Sequence, residues 1–198
     1  MQPQDLTRAI SLETENGSRE LNRTNDYIHR DIRYNVTYHR VGATGSIATD
    51  PITFCSGIFR DQINYNLVRR DPKRREQWIP CSYGTYCQLG VVNSSVSEIS
   101  VAQNEYFVCL HPGEVWEGSF ILDGEVWEFP EHVEAGDTFR FSFKGTTIDW
   151  WNWGTKDGAH AKTLVTVSED GTNRISDNGG RPLIFVSSSN EIELYLTD

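Results

Sequence analysis

Residues 136–153 read GDTFRFSFKGTTIDWWNW, and the fold class turns on this stretch. Gly136-Asp137 is a turn signal, and Thr138–Phe143 then alternates with period 2. Phe139, Phe141 and Phe143 fall on one face, while Thr138, Arg140 and Ser142 fall on the other. Successive side chains leave a pleated backbone on opposite sides, so this is the pattern of a half-buried strand. Lys144-Gly145 predicts another turn. Three tryptophans then crowd into four residues. If Trp150–Trp153 is extended, Trp151 and Trp153 share one face and Trp150 and Asn152 take the other. At least one indole therefore points away from whichever face meets the core. Three destinations are open to these rings. They can pack the ends of a sandwich with their N–H groups on nearby backbone, line the mouth of an apolar pocket with Trp116, Trp127 and Phe141, or stand outside to meet sugars or lipid headgroups.

Similar strands flank this stretch. Ile32–Tyr38 alternates, with Ile32, Tyr34, Val36 and Tyr38 on one face. Further strands are predicted over Ile52–Phe59 (broken at Ser56-Gly57), Ile63–Val68, Val96–Val101, Tyr106–Leu110, Trp116–Leu122, Glu125–Phe129, Leu164–Val167, Leu183–Val186 and Ile192–Leu196. Asp123-Gly124 between two of them predicts a two-residue hairpin. Many short strands at near-regular spacing imply an all-β sandwich or barrel. With 198 residues there is enough chain for one sizeable core. The expected organisation is a polar N-terminal arm over 1–26, with a short helix around Leu6–Leu12, and one β jelly-roll domain over 27–198. The basic run Arg69–Arg75 contains Pro72 and reads as a solvated loop, and Trp78–Gly90 as a compact structured loop.

A formal net charge of −10 argues against nucleic acid or an anionic membrane as partner, because phosphate affinity depends on neutralising cations. No apolar run is long enough for a membrane span, and the first residues lack the apolar core of an export signal. Cys55, Cys81, Cys87 and Cys109 permit three disulfide pairings and fit no zinc spacing. Glycosylation sequons at Asn16, Asn22, Asn35 and Asn93 hint at secretion. The expectation is a cytoplasmic protein, with secretion as the alternative.

From His111 to Asn152 the chain resembles the two-motif core of the cupins, which are double-sheet jelly rolls. His111, Glu117 and Gly124 match the spacing of the first motif, with Gly113 in place of its second histidine. Gly136-Asp137 opens the second motif and Asn152 closes it. Ser142 replaces the usual proline, Gly145 comes one residue late and Ile148 replaces a histidine. Metal-dependent cupins use three histidines and a glutamate, of which only His111 and Glu117 survive. His29, His39, His132 and His160 lie elsewhere in the chain, and two ligands hold a divalent ion poorly. The expected molecule is a barrel that has lost its metal or a sandwich that never had one, without cofactor, and the resemblance implies a possible homodimer with Glu117 and His111 projecting inward.

On that basis the expected function is a cofactor-free isomerase, cyclase or lyase enclosing a small, largely apolar molecule. Glu117 and His111 would move a proton, since a carboxyl walled by rings resists ionising. Trp116, Trp127, Trp150, Trp151, Trp153 and Phe141 would line the chamber, with Tyr106, Arg140 and Asp149 orienting polar groups. The alternative is a secreted β-sandwich binding module, lectin-like or membrane-active, that uses exposed tryptophans.

Overall fold

The computed structural model describes residues 9–15, 17–24, 27–39, 49–84, 96–168, 175 and 179–198. It is an all-β protein. The chain runs through β1 (Ile10–Thr14), β2 (Glu20–Thr24), β3 (Tyr27–Tyr38) and β4 (Ile52–Cys55). A four-residue helix, α1 (Gly57–Arg60), and a 3-10 turn over Gln62–Asn64 lead to β5 (Tyr65–Arg70). Next come β6 (Trp78–Pro80), β7 (Ser82–Tyr83), β8 (Val96–Ser100), β9 (Phe107–Leu110) and β10 (Val115–Asp123). The remainder comprises β11 (Trp127–Glu128), β12 (Thr138–Phe143), β13 (Thr146–Ile148), β14 (Trp151–Trp153), β15 (Leu164–Ser168), β16 (Ile184–Val186) and β17 (Ile192–Thr197).

The main sheet has the order β1-β3-β2-β17-β12-β5-β6, with β10 on the other side of β3. At twelve residues, β3 is long enough to pair β1 and β2 end to end along one side while β10 covers the other. Period-2 patterning gives this sheet one apolar face: Ile32, Tyr34 and Val36 from β3, Phe139, Phe141 and Phe143 from β12, and Leu194 and Leu196 from β17 are all buried. The sheet rolls around that face. Phe120 on β10 and Tyr65 on β5 lie far apart in strand order, yet their ring centroids are 5.0 Å apart. Tyr65 stacks on Phe141 at 5.1 Å and meets Phe143 edge-on at 5.3 Å, so rings fill the centre of the roll. Such offset and edge-to-face contacts add to plain area burial.

A second layer lies against this core. Ile52 and Phe54 of β4, Leu110 of β9, Trp151 of β14, Ile148 of β13, and Ile184 and Val186 of β16 belong to the same apolar cluster. The ladder of β8 with β15 roofs a smaller core of Val101, Phe107, Trp150, Val165 and Ile175. No described sheet closes on itself, so the arrangement is sandwich-like and the barrel alternative is not realised among the described residues.

Four local expectations need correction. Ile10–Leu12, assigned to a helix in the N-terminal arm, belongs to β1, which pairs antiparallel with Tyr34–Tyr38. Ile10, Leu12 and Thr14 alternate and are buried, and that period-2 burial outweighs any helical propensity. Residues 1–8 lie outside those described. Glu20–Thr24, also in the expected arm, is a strand parallel to β17. Asp123-Gly124 does turn the chain, with the Asp123 carboxylate accepting from the N–H groups of Glu125 and Val126, but no hairpin follows because β11 leaves to pair with β7. Arg69 and Arg70, assigned to a solvated loop, end β5, and Arg69 is buried.

Candidate functional site at the free edge of β10

The tryptophan-rich strand divides its rings as the alternation requires. Trp151 and Trp153 pair with Phe54 and Ile52 and face the main core, and their rings meet edge-on at 5.3 Å. Trp150 turns the other way into the small core, against Phe107 at 5.2 Å and His160 at 5.6 Å. Both faces of this sheet are covered, which is why no indole of the three is left fully outside. The Trp151 N–H donates to the Pro182 carbonyl at 2.7 Å. Trp127 is equally buried, and its N–H donates to the Gln62 amide oxygen at 2.8 Å. Phe141 is core as well. These rings pack the interior and do not wall a chamber as expected, with Trp116 the exception described below.

Glu117 and His111 also depart from expectation. On β10 the inward set is Trp116, Gly118, Phe120 and Leu122, so Glu117 necessarily shares the outer face with Val115, Ser119 and Ile121. Glu117 is exposed. His111 is exposed in the turn before β10, where its backbone N–H donates to the Glu114 carboxylate at 2.7 Å. Among the described residues Glu117 and His111 form no carboxyl–imidazole pair enclosed by rings. The remaining cupin-motif positions are structural. Gly136 and Gly145 have φ of 91° and 87°, a left-handed conformation that favours glycine. Asp137 accepts from Arg69 at 2.6 Å and from the N–H of Glu134 at 2.8 Å, pinning the loop that enters β12. Arg69 also donates to the His132 carbonyl at 3.0 Å. No group of three or more potential metal ligands converges among the described residues, and no described helix is long and apolar enough to cross a membrane.

Arg140 lies on the outer face of the main sheet. Its guanidinium sits 4.1 Å from the Trp78 ring centroid and donates to Glu193 at 3.0 Å, while Arg70 approaches the same ring at 4.9 Å. Hydrogen bonding to Arg140 is the main cause holding the Glu193 carboxyl below its usual range. These charges compensate one another. Asp149 is half-buried between β13 and β14. Cys55, Cys81 and Cys109 are free thiols, so no disulfide joins the three described cysteines. Cys87 lies outside the described residues.

Two residues from the predicted set do come together, near an edge. Arg60 of α1 lies over the ring of Tyr106 at 4.9 Å and over that of Trp116 at 5.6 Å. Beside them runs β10, nine residues long and paired on one side only. The Tyr38 N–H donates to the Glu114 carbonyl, and the Gly124 N–H donates to the Ile28 carbonyl. These bonds fix the parity of the ladder: even-numbered residues of β10 bond to β3, and odd-numbered ones direct N–H and C=O away from it. Gln62 donates to the outward carbonyl of Ile121 at 3.0 Å. The outward groups of Val115, Glu117 and Ser119 have no partner among the described residues. Alternation and an odd-or-even assignment from the sequence locate this edge, but its vacancy depends on strand order, which the sequence does not carry.

The other rims of the main sheet are shorter and, among the described residues, dressed in part, β1 at Thr14 though not at Ile10 and Leu12. On β1, the Asn190 side chain accepts from the Thr14 N–H at 2.8 Å and donates to the Thr14 carbonyl at 3.0 Å, standing in for a neighbouring strand. β6 is only three residues long and includes Pro80, which has no N–H to offer. Comparison of the chain with protein-family models, curated proteins and solved structures finds no match.

Proposed function

We propose that the protein is a recognition module that binds an extended partner strand along the free edge of β10. One observation carries this reading: among the described residues, outward backbone groups of Val115, Glu117 and Ser119 stand unengaged on a nine-residue strand, while the rims at β1 and β6 are shorter and the first is capped at Thr14. Strand addition gains main-chain hydrogen bonds from such an edge, and alternate side chains supply selectivity. Tyr106, Arg60 and Trp116 form an aromatic–cation wall beside it. The cofactor-free enzyme expected from the sequence is less well supported. It requires Glu117 inside a chamber, whereas Glu117 is exposed and the centre of the roll holds contacting rings.

Selection of displayed random peptides on the immobilised protein tests the proposal, with Ser119→Pro as the counter-target. Proline at that position removes one outward N–H and is tolerated on an edge. Binders should carry alternating apolar residues and lose affinity for the variant. Binders indifferent to Ser119→Pro would contradict edge recognition.

A further inference from the structure

We propose that the partner strand is β10 of a second copy of this chain, paired antiparallel about a twofold axis at Gly118. This inference rests on the edge-recognition reading above and names its occupant. For outward N–H and C=O groups to meet, odd-numbered residues must oppose odd-numbered residues across the axis. Near the middle of β10 that leaves registers centred on Glu117, Gly118 or Ser119.

The side chains discriminate among the three. Centring on Glu117 sets that carboxylate against the partner's Glu117, and like charges directly opposite are destabilising. Centring on Ser119 sets Glu117 against the partner's Ile121 and Val115 against the partner's Asp123, two mismatches. Centring on Gly118 leaves no such mismatch from Val115 to Ile121. On the outer face Val115 meets the partner's Ile121, and these side chains are 51% and 57% exposed in the single chain. Glu117 meets the partner's Ser119, whose hydroxyl can donate to the carboxylate. On the inner face half-buried Trp116 meets the partner's Phe120, an aromatic cross-strand pair that occurs twice by symmetry. Gly118 meets itself at the axis, where its missing side chain lets two backbones approach while the Tyr34 ring lies beneath. The Ile121 carbonyl keeps a second lone pair beside its bond to Gln62.

The joint sheet would cover the inward rings that an edge strand leaves half-exposed. Charge works against it at long range, since each chain carries −10. Added salt should therefore tighten the dimer by screening, the reverse of an interface held by ion pairs.

Sedimentation equilibrium of the wild-type protein and two variants at exposed Ser119 tests the register. Wild type should sediment as a dimer of the 22.6 kDa chain. Ser119→Glu places a new carboxylate against the partner's Glu117 twice per dimer and should raise the dissociation constant on the order of fivefold or more. Ser119→Lys places a cation there and should lower it. Circular dichroism should be the same for all three. A monomer at all concentrations overturns self-pairing, and so does a dimer that the two variants affect alike. If the monomeric protein still selects peptides that depend on Ser119, self-pairing falls while edge recognition stands; if it selects none, both fall.

Discussion

The ring of Tyr34 occupies the space that a side chain at Gly118 would need: a Cβ built on Gly118 would collide with Cζ, Oη and Cε2 of that ring. The two residues are direct neighbours across β3 and β10. Glycine here serves packing, because it admits a large ring over the backbone. Gly118→Ala should destabilise the protein by about 1–3 kcal/mol through overpacking, read as a lower urea midpoint. Tyr34→Phe should behave differently. The Tyr34 hydroxyl is buried without a hydrogen-bond partner among the described residues, so its removal should be neutral or stabilising. Equal losses in both variants would contradict this account.

Alkaline pH should weaken the fold in two steps. Burial pushes the Cys81 thiol from 9.0 up to about 12 and the Tyr34 phenol from 10.0 up to about 12, against a smaller opposing influence of Arg69 and Arg60 respectively. Raised values mean that the folded state prefers the neutral forms. Their contribution is complete below the unfolded values and drains away as pH rises from 9.0 towards about 12. Urea midpoints measured across that window should decline, and Cys81→Val should remove the earlier part of the slope. A flat profile in the wild type would count against it.

Trp150 and Trp151 are adjacent in sequence but hold different cores. Either substitution by alanine should cost about 3–5 kcal/mol. Hydrogen exchange separates them. Trp150→Ala should release amides of β8 and β15 first, whereas Trp151→Ala should release β4 and the main sheet. Identical exchange patterns would deny the two-core description.

Two ion pairs near β12 should contribute unequally. Arg69 and Asp137 meet with side chains 7% and 16% exposed. Removing one partner leaves an uncompensated buried charge, so Asp137→Ala should cost about 3–5 kcal/mol. Arg140 and Glu193 are both about a third exposed, so Glu193→Ala should cost no more than about 1 kcal/mol. Chemical denaturation of the two variants checks the ranking.

His111→Ala, and Glu117→Gln measured at concentrations where the chain is monomeric, should leave stability within about 0.5 kcal/mol of wild type, as expected of side chains exposed in the single chain. A loss well beyond that in thermal unfolding would mean that one of these groups has a hidden partner.

Period-2 patterning made much of this fold legible. Phe139, Phe141 and Phe143 are buried as their alternation requires, and so are Ile32, Tyr34, Val36 and Tyr38. The opposition of Trp150 to Trp151 and Trp153 was equally visible. The same rule contained a warning about Glu117, because Trp116, Phe120 and Leu122 form the apolar set of their strand and leave the odd positions outside. The motif spacing pointed the other way, and spacing alone carries no information about which face is inward. Long-range pairing was not legible. Asp123-Gly124 specifies a turn, but whether the outgoing strand returns to its neighbour depends on β7, whose Ser82 pairs with Glu128 46 residues further along the chain, a separation that local signals do not cover. Arg69 likewise became structural only because the loop at His132–Asp137 folds over it.

The sheet formed by β14, β4 and β9 separates the two apolar clusters and is lined by both. A partition furnished on each side has no spare surface. Any insertion or polar replacement along β4 would disturb two rooms at once, so this short strand should be the least forgiving part of the molecule to redesign, and its roof of β8 and β15 the natural place to graft new loops.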